Sequence, residues 1–89
     1  MVIRMYKVFY SKKAIEDIQN LKSAKLEDKA KSLIAIISRD PFQNPPPYKK
    51  LQGNLQGAYS RRINIKHRLV YTVSNNEIKI ISLWSHYEF

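Results

Sequence analysis

Eighty-nine residues of ordinary apolar content make one domain with one core and leave no room for a second, so any active surface must lie on the outside of that core. Sixteen lysines and arginines stand against seven acidic residues, a formal charge of +9 that repels itself and points to a polyanionic partner, either a nucleic acid or an acidic protein. The lack of cysteine excludes disulfides and thiolate metal sites. His67 and His86 alone are too few for a metal centre, and no apolar run reaches the roughly 20 residues needed to cross a bilayer.

The N-terminal "MVIRMYKVFY" lacks an apolar leader with a cleavage site, so a cytoplasmic location with no membrane attachment is expected, and residues 1–4 read as an extension before the domain proper. Residues 5–10, rich in aromatic and β-branched types, predict a first strand, after which Ser11 is placed to cap a helix over "KKAIEDIQNLK". Ala14, Ile15, Ile18 and Leu21 fall on one face of that helix. Leu26, Ala30, Leu33, Ile34 and Ile37 repeat the pattern in a second one.

Four prolines within 41–47 then forbid regular structure, and residues 41–50 read as a loop dividing the helical half from a strand-like half. "AYSRRINI" and "HRLVYTV" alternate with period two and lie close enough for an antiparallel hairpin. "SNNE" supplies the next turn, and "IKIISLWSHY" is apolar on both faces, as a strand with neighbours on each side should be. The order β-α-α-β-β-β predicts a two-layer α+β domain spanning 1–89. Its two helices would cover one face of a mostly antiparallel twisted sheet and leave the other face open.

The hairpin carries Arg61, Arg62, Lys66, His67 and Arg68. Such cations serve either to keep a hairpin soluble and discourage edge pairing, or to bind phosphate, for which the guanidinium fork is suited. Which parity of each strand faces the core is not fixed without the pairing register. If Arg62 and Arg68 share the open face beside the last strand, His86 would reach a phosphate held there, with Tyr87 to stack on or bond a base. Cleavage of RNA by its own 2′-hydroxyl needs a base, an acid and fixed cations, and histidine and arginine supply the last two. Lys49 and Lys50, stiffened by Pro45–Pro47, are further phosphate ligands on this reading.

The stretch "DPFQNPPPYKKLQGNLQGAYSRRINIKHRLVYTV", followed by "IKIISLWSHY", resembles the Txe/YoeB family of bacterial toxins within the RelE-like superfamily. The "L-x-G-x-L-x-G-x-Y-S-R-R-I-N" and "H-R-L-V-Y" blocks, with the terminal "HY", carry the likeness together. It implies the toxin of a type II toxin–antitoxin pair, a ribosome-dependent, metal- and cofactor-independent endoribonuclease that cleaves messenger RNA in the A site. It also implies a small acidic antitoxin of the YefM/Phd kind, through which alone the pair contacts operator DNA. The family's catalytic arginine falls on Arg68, its general acid on His86, the adjoining aromatic on Tyr87 and a supporting arginine on Arg62.

One position departs from the family. Lys49 stands where members typically carry a glutamate taken as the base for the 2′-hydroxyl, and an ammonium group has no lone pair for that proton. Weakened cleavage is therefore expected; the alternatives are a catalytically silent module that binds RNA or antitoxin, and a site that works through cations in place of a carboxylate.

Overall fold

A computed structural model describes residues 5–85. The elements in chain order are β1 (Lys7–Tyr10), α1 (Lys12–Ser23), α2 (Glu27–Arg39), β2 (Lys49–Lys50), a 3₁₀ turn (Gly53–Leu55), β3 (Ala58–Arg62), β4 (Arg68–Ser74) and β5 (Glu77–Ser85). They form one sheet in the order β1-β5-β4-β3-β2, with β1 parallel to β5 and the other neighbours antiparallel. The expected α+β architecture is present, with one strand more than the sequence predicted. Lys49 and Lys50, read as the end of a loop, pair with Ser60 and Tyr59 as a two-residue edge strand.

Ser11 does two jobs. Its Oγ accepts the Ala14 N–H at 3.0 Å, capping α1, and donates to the Ile81 carbonyl at 2.6 Å, tying that cap to β5. The β1–β5 pairing ends at Tyr10 and Ile80, so β5 runs on beyond its neighbour with backbone groups to satisfy. Asp17, one turn into α1, completes the substitution: its buried carboxylate accepts the Leu83 N–H at 2.9 Å and pairs with Lys13 at 3.2 Å. Asp17→Ala strands a buried amide and is expected to cost about 1–3 kcal/mol. Asp17→Asn keeps an acceptor oxygen and should cost less, a difference that thermal melts followed by circular dichroism will show.

The helices bury Ala14, Leu21, Ala30, Leu33 and Ile37 against Leu69, Tyr71, Ile78, Ile80 and Leu83 of the sheet and Ile63 just after β3. Ile15, expected on this face, is 58% exposed; the inward positions of α1 are Ala14, Asp17 and Leu21. The opposite face is not bare, as the sequence suggested. Residues 51–57 fold back over it, placing Leu51 and Leu55 on Ala58, Val70 and Ile81. Gly53 and Gly57, at φ +68° and +93°, provide the left-handed turns this reversal requires. Among the described residues, what stays open is the end of that face nearest the β3–β4 turn.

Candidate functional site

Cross-strand partners share a face, so the register settles the parity that the sequence left undecided. Ser60, Arg62, Arg68 and Val70 point away from the helices, whereas Tyr59, Arg61, Leu69 and Tyr71 point toward them. Arg62 lies directly opposite Arg68, and Lys49 directly opposite Ser60, so three cations project from neighbouring positions on one face. Together with Pro47 and Tyr48 they line an open cleft of about 220 Å³. Among these lining residues there is no carboxylate.

Arg68 is held in place by Ser60, whose Oγ accepts from its Nη1 at 3.2 Å. Partial burial, and then the facing charge of Arg62, lower the pKa of the Arg68 guanidinium. Two like charges set opposite each other across a ladder repel, which an anion between them would relieve. The far side of Arg68 meets Ser85, its partner on β5, whose buried hydroxyl is hydrogen-bonded to that of Ser82. His86 and Tyr87, expected as acid and base-positioning aromatic, lie outside the described residues.

Arg61, expected beside Arg62 on the phosphate-binding surface, is fully buried on the other side of the strand. Its Nη1 donates to the Pro46 carbonyl at 2.6 Å, its Nη2 to those of Pro41 and Gln43 at 3.0 and 2.9 Å, and its Nε to the Tyr71 hydroxyl at 3.2 Å. Its guanidinium lies 5.0 Å from the Tyr48 ring centre, in a cluster where Phe42, Tyr48, Tyr59 and Tyr71 meet edge to face or tilted. Arg61 thus holds down the proline-rich segment that delivers Pro47, Tyr48 and Lys49 to the cleft.

Burial raises the pKa of the Tyr71 hydroxyl, which donates to the Pro41 carbonyl at 2.7 Å; the hydrogen bond and charge of Arg61 pull partly the other way. The folded value therefore lies above the unfolded one of about 10. The neutral phenol's stabilisation is complete below that pH and is lost as pH rises through the folded value. Denaturant midpoints should fall above pH 10, and Tyr71→Phe should flatten that fall while losing the Pro41 bond.

The remaining expected phosphate ligands do not line the cleft. His67 is 7% exposed and its ring stacks on Trp84 at 3.6 Å between centroids, which makes it a packing residue, contrary to the sequence reading. Lys50 sits on the opposite parity to Lys49 and borders a separate depression with Leu51, Gln52, Gly53, Gln56 and Gly57. Lys66 stands at the hairpin tip, where Asn64 Oδ1 accepts its N–H and that of His67. Sequence reasoning missed Tyr48 and Ser60, although Ser60 shares the parity of Arg62 and was available on that ground.

A model of the "YoeB-like toxin of bacterial type II toxin-antitoxin system" family matches residues 10–87. The chain is 45% identical over 64 residues to the Toxin YoeB of Synechocystis sp., covering 72% of this chain and 74% of that one. Among solved structures, it resembles the toxin of the YoeB–YefM complex from Staphylococcus aureus at 40% identity and a TM-score of 0.78, over 92% of this chain and 98% of the other. A YoeB/ParE toxin from Agrobacterium tumefaciens superposes with a TM-score of 0.82 at 29% identity, over 91% and 99% of the two chains.

Proposed function

Because the chain belongs to the YoeB-like toxins of bacterial type II toxin–antitoxin systems, we propose that it is an endoribonuclease that acts on messenger RNA in the ribosomal A site, at a reduced rate. The observation that carries this reading is the convergence of Lys49, Arg62 and Arg68 on one cleft beside the end of β5. A ribose-phosphate junction placed there would have its non-bridging oxygens between two guanidiniums. Those groups meet the charge that grows on phosphorus as it passes through five coordination, and they are already oriented when it does.

In that step the 2′-oxygen forms a bond to phosphorus and the bond from phosphorus to the 5′-oxygen breaks. His86, bonded to Ser85 and hence to the cross-strand partner of Arg68, donates the proton the 5′-oxygen requires, and Tyr87 positions a base. The proton of the 2′-hydroxyl has no carboxylate to receive it at position 49 and passes to water, which is the reason for the reduced rate. No metal or other cofactor enters this scheme.

His86→Ala is expected to abolish cleavage of messenger in a translating extract while leaving the melting temperature within a few degrees of the parent. Cleavage persisting at the parent rate would remove His86 from the chemistry.

The proposed silencing partner is a small acidic antitoxin, supported by the +9 charge of the chain and by the YefM found with the Staphylococcus aureus relative. Operator DNA would be reached through that antitoxin, since the apolar faces of α1 and α2 are committed to the core. Lys49 favours a second reading, a module of the same fold that holds RNA or antitoxin in this cleft without turnover.

A further inference from the structure

Ser60 is fully buried in the middle of β3, on the face that Leu51, Ala58, Val70 and Ile81 make apolar. It pairs across the ladder with Val70, and Ala58, two residues earlier on the same face, shows that a small apolar side chain packs there. A hydroxyl in such a place destabilises the fold unless it is hydrogen-bonded. Among the described residues its side chain has one partner, the Nη1 of Arg68 at 3.2 Å. The bond therefore serves the arginine more than the core.

The register gives that bond a direction. Arg68 pairs with Arg62, so Ser60 is its diagonal neighbour, two residues back along β3 and cross-strand from Lys49. To reach Ser60 the guanidinium leans over β3, away from the hairpin turn and toward the strand that carries Lys49. An arginine without such a tether spreads over many rotamers. One N–H donor goes to the serine, and the rest of the fork remains for a ligand.

We propose that Ser60 is a positioning residue of the cleft, its hydroxyl fixing the Arg68 guanidinium where the reacting phosphate is met. This inference deepens the reading above and rests on it. A cation already in place at phosphorus acts without reorganisation, and a displacement of about 1 Å is worth about a hundredfold in rate. Binding of RNA in its ground state depends far less on that placement. Loss of the hydroxyl should therefore slow turnover, spare affinity, and hold or raise the melting temperature.

The test compares the full-length parent, Ser60→Ala, Arg68→Ala and the double variant in single-turnover cleavage of ribosome-bound messenger, each also made in the Lys49→Glu background, where cleavage is expected to be faster. Ser60→Ala should lower the rate by about 10- to 100-fold. Its affinity for a labelled 2′-O-methyl oligoribonucleotide, which binds but is not cut, should stay within about twofold of the parent by anisotropy. With Arg68 already replaced, Ser60→Ala should change the rate by no more than about twofold, because the serine acts through that side chain. Ser60→Cys keeps the volume, offers only a weak acceptor and should follow Ser60→Ala. The parent rate in Ser60→Ala, or equal slowing with and without Arg68, would overturn the inference and leave the cleft as the site of cutting. No cutting by the parent or by Lys49→Glu would overturn the reading of the cleft, and the inference with it.

Discussion

Arg61→Met is expected to lower the melting temperature by about 15 °C or more. The guanidinium is fully buried without a carboxylate, and it is stabilised instead by the carbonyls of Pro41, Gln43 and Pro46, the Tyr71 hydroxyl and the ring of Tyr48. Methionine matches the bulk and removes the charge, but leaves those carbonyls without donors in a loop whose prolines have few amides of their own to offer. Stranded acceptors cost about 1–3 kcal/mol each, and relaxation of the loop toward water recovers part, so a net loss of about 3–5 kcal/mol is reasonable. At about 4–8 °C per kcal/mol for a chain of this size, that is the stated fall.

Arg61→Lys keeps the charge and loses the planar fork, so it should fall between the two. Near-ultraviolet circular dichroism should weaken in Arg61→Met as Phe42, Tyr48, Tyr59 and Tyr71 lose their fixed contacts. A melt within a few degrees of the parent would show that the proline segment does not hang on this side chain.

Lys49→Glu should act in the opposite direction, on rate and not on stability. The residue is exposed on an edge strand, so exchanging it disturbs no core. A carboxylate there faces Arg62 and Arg68 across the cleft, and their charges favour its ionised form, the one able to take the 2′-proton. General-base assistance is worth about 10²–10⁴ in rate, so single-turnover cleavage of ribosome-bound messenger should rise by at least a hundredfold. Induction in growing cells gives a coarser readout of the same effect. Growth arrest seen only with Lys49→Glu would mark the parent chain as a binder, and arrest of equal depth with both would show that the ammonium is no handicap.

These two residues also show how far the sequence could be read. Alternation over residues 58–62 made a strand plain, and Ser11 announced the start of α1; both are local signals, written in neighbouring residues. The division of labour between Arg61 and Arg62 was not local. It depends on the register against β4, where Leu69 and Arg68 are the partners, and a buried arginine whose partners are carbonyls, the Tyr71 hydroxyl and the Tyr48 ring leaves no pattern of opposite charge to betray it. His67, in the β3–β4 connection, was misjudged for a similar reason, since its companion Trp84 lies on β5.

Segment 51–57 hid its purpose behind glycine and glutamine. Its two leucines cover Val70 only after Gly53 and Gly57 have turned the chain back on itself. Lys49 was singled out by its departure from a family pattern, and the structure adds that it faces the two arginines with which a catalytic group would have to work.

The central claim, that a ribose-phosphate junction is cut in the cleft of Lys49, Arg62 and Arg68, is tested most directly by primer extension on ribosome-bound messenger, comparing the parent chain with Arg68→Ala at matched, fully folded concentrations. Loss of one preorganised cation at the reacting phosphate should slow cleavage by about 10²–10³, with cuts by the parent confined to the A-site codon. Cuts of equal intensity at the same positions in Arg68→Ala would contradict it.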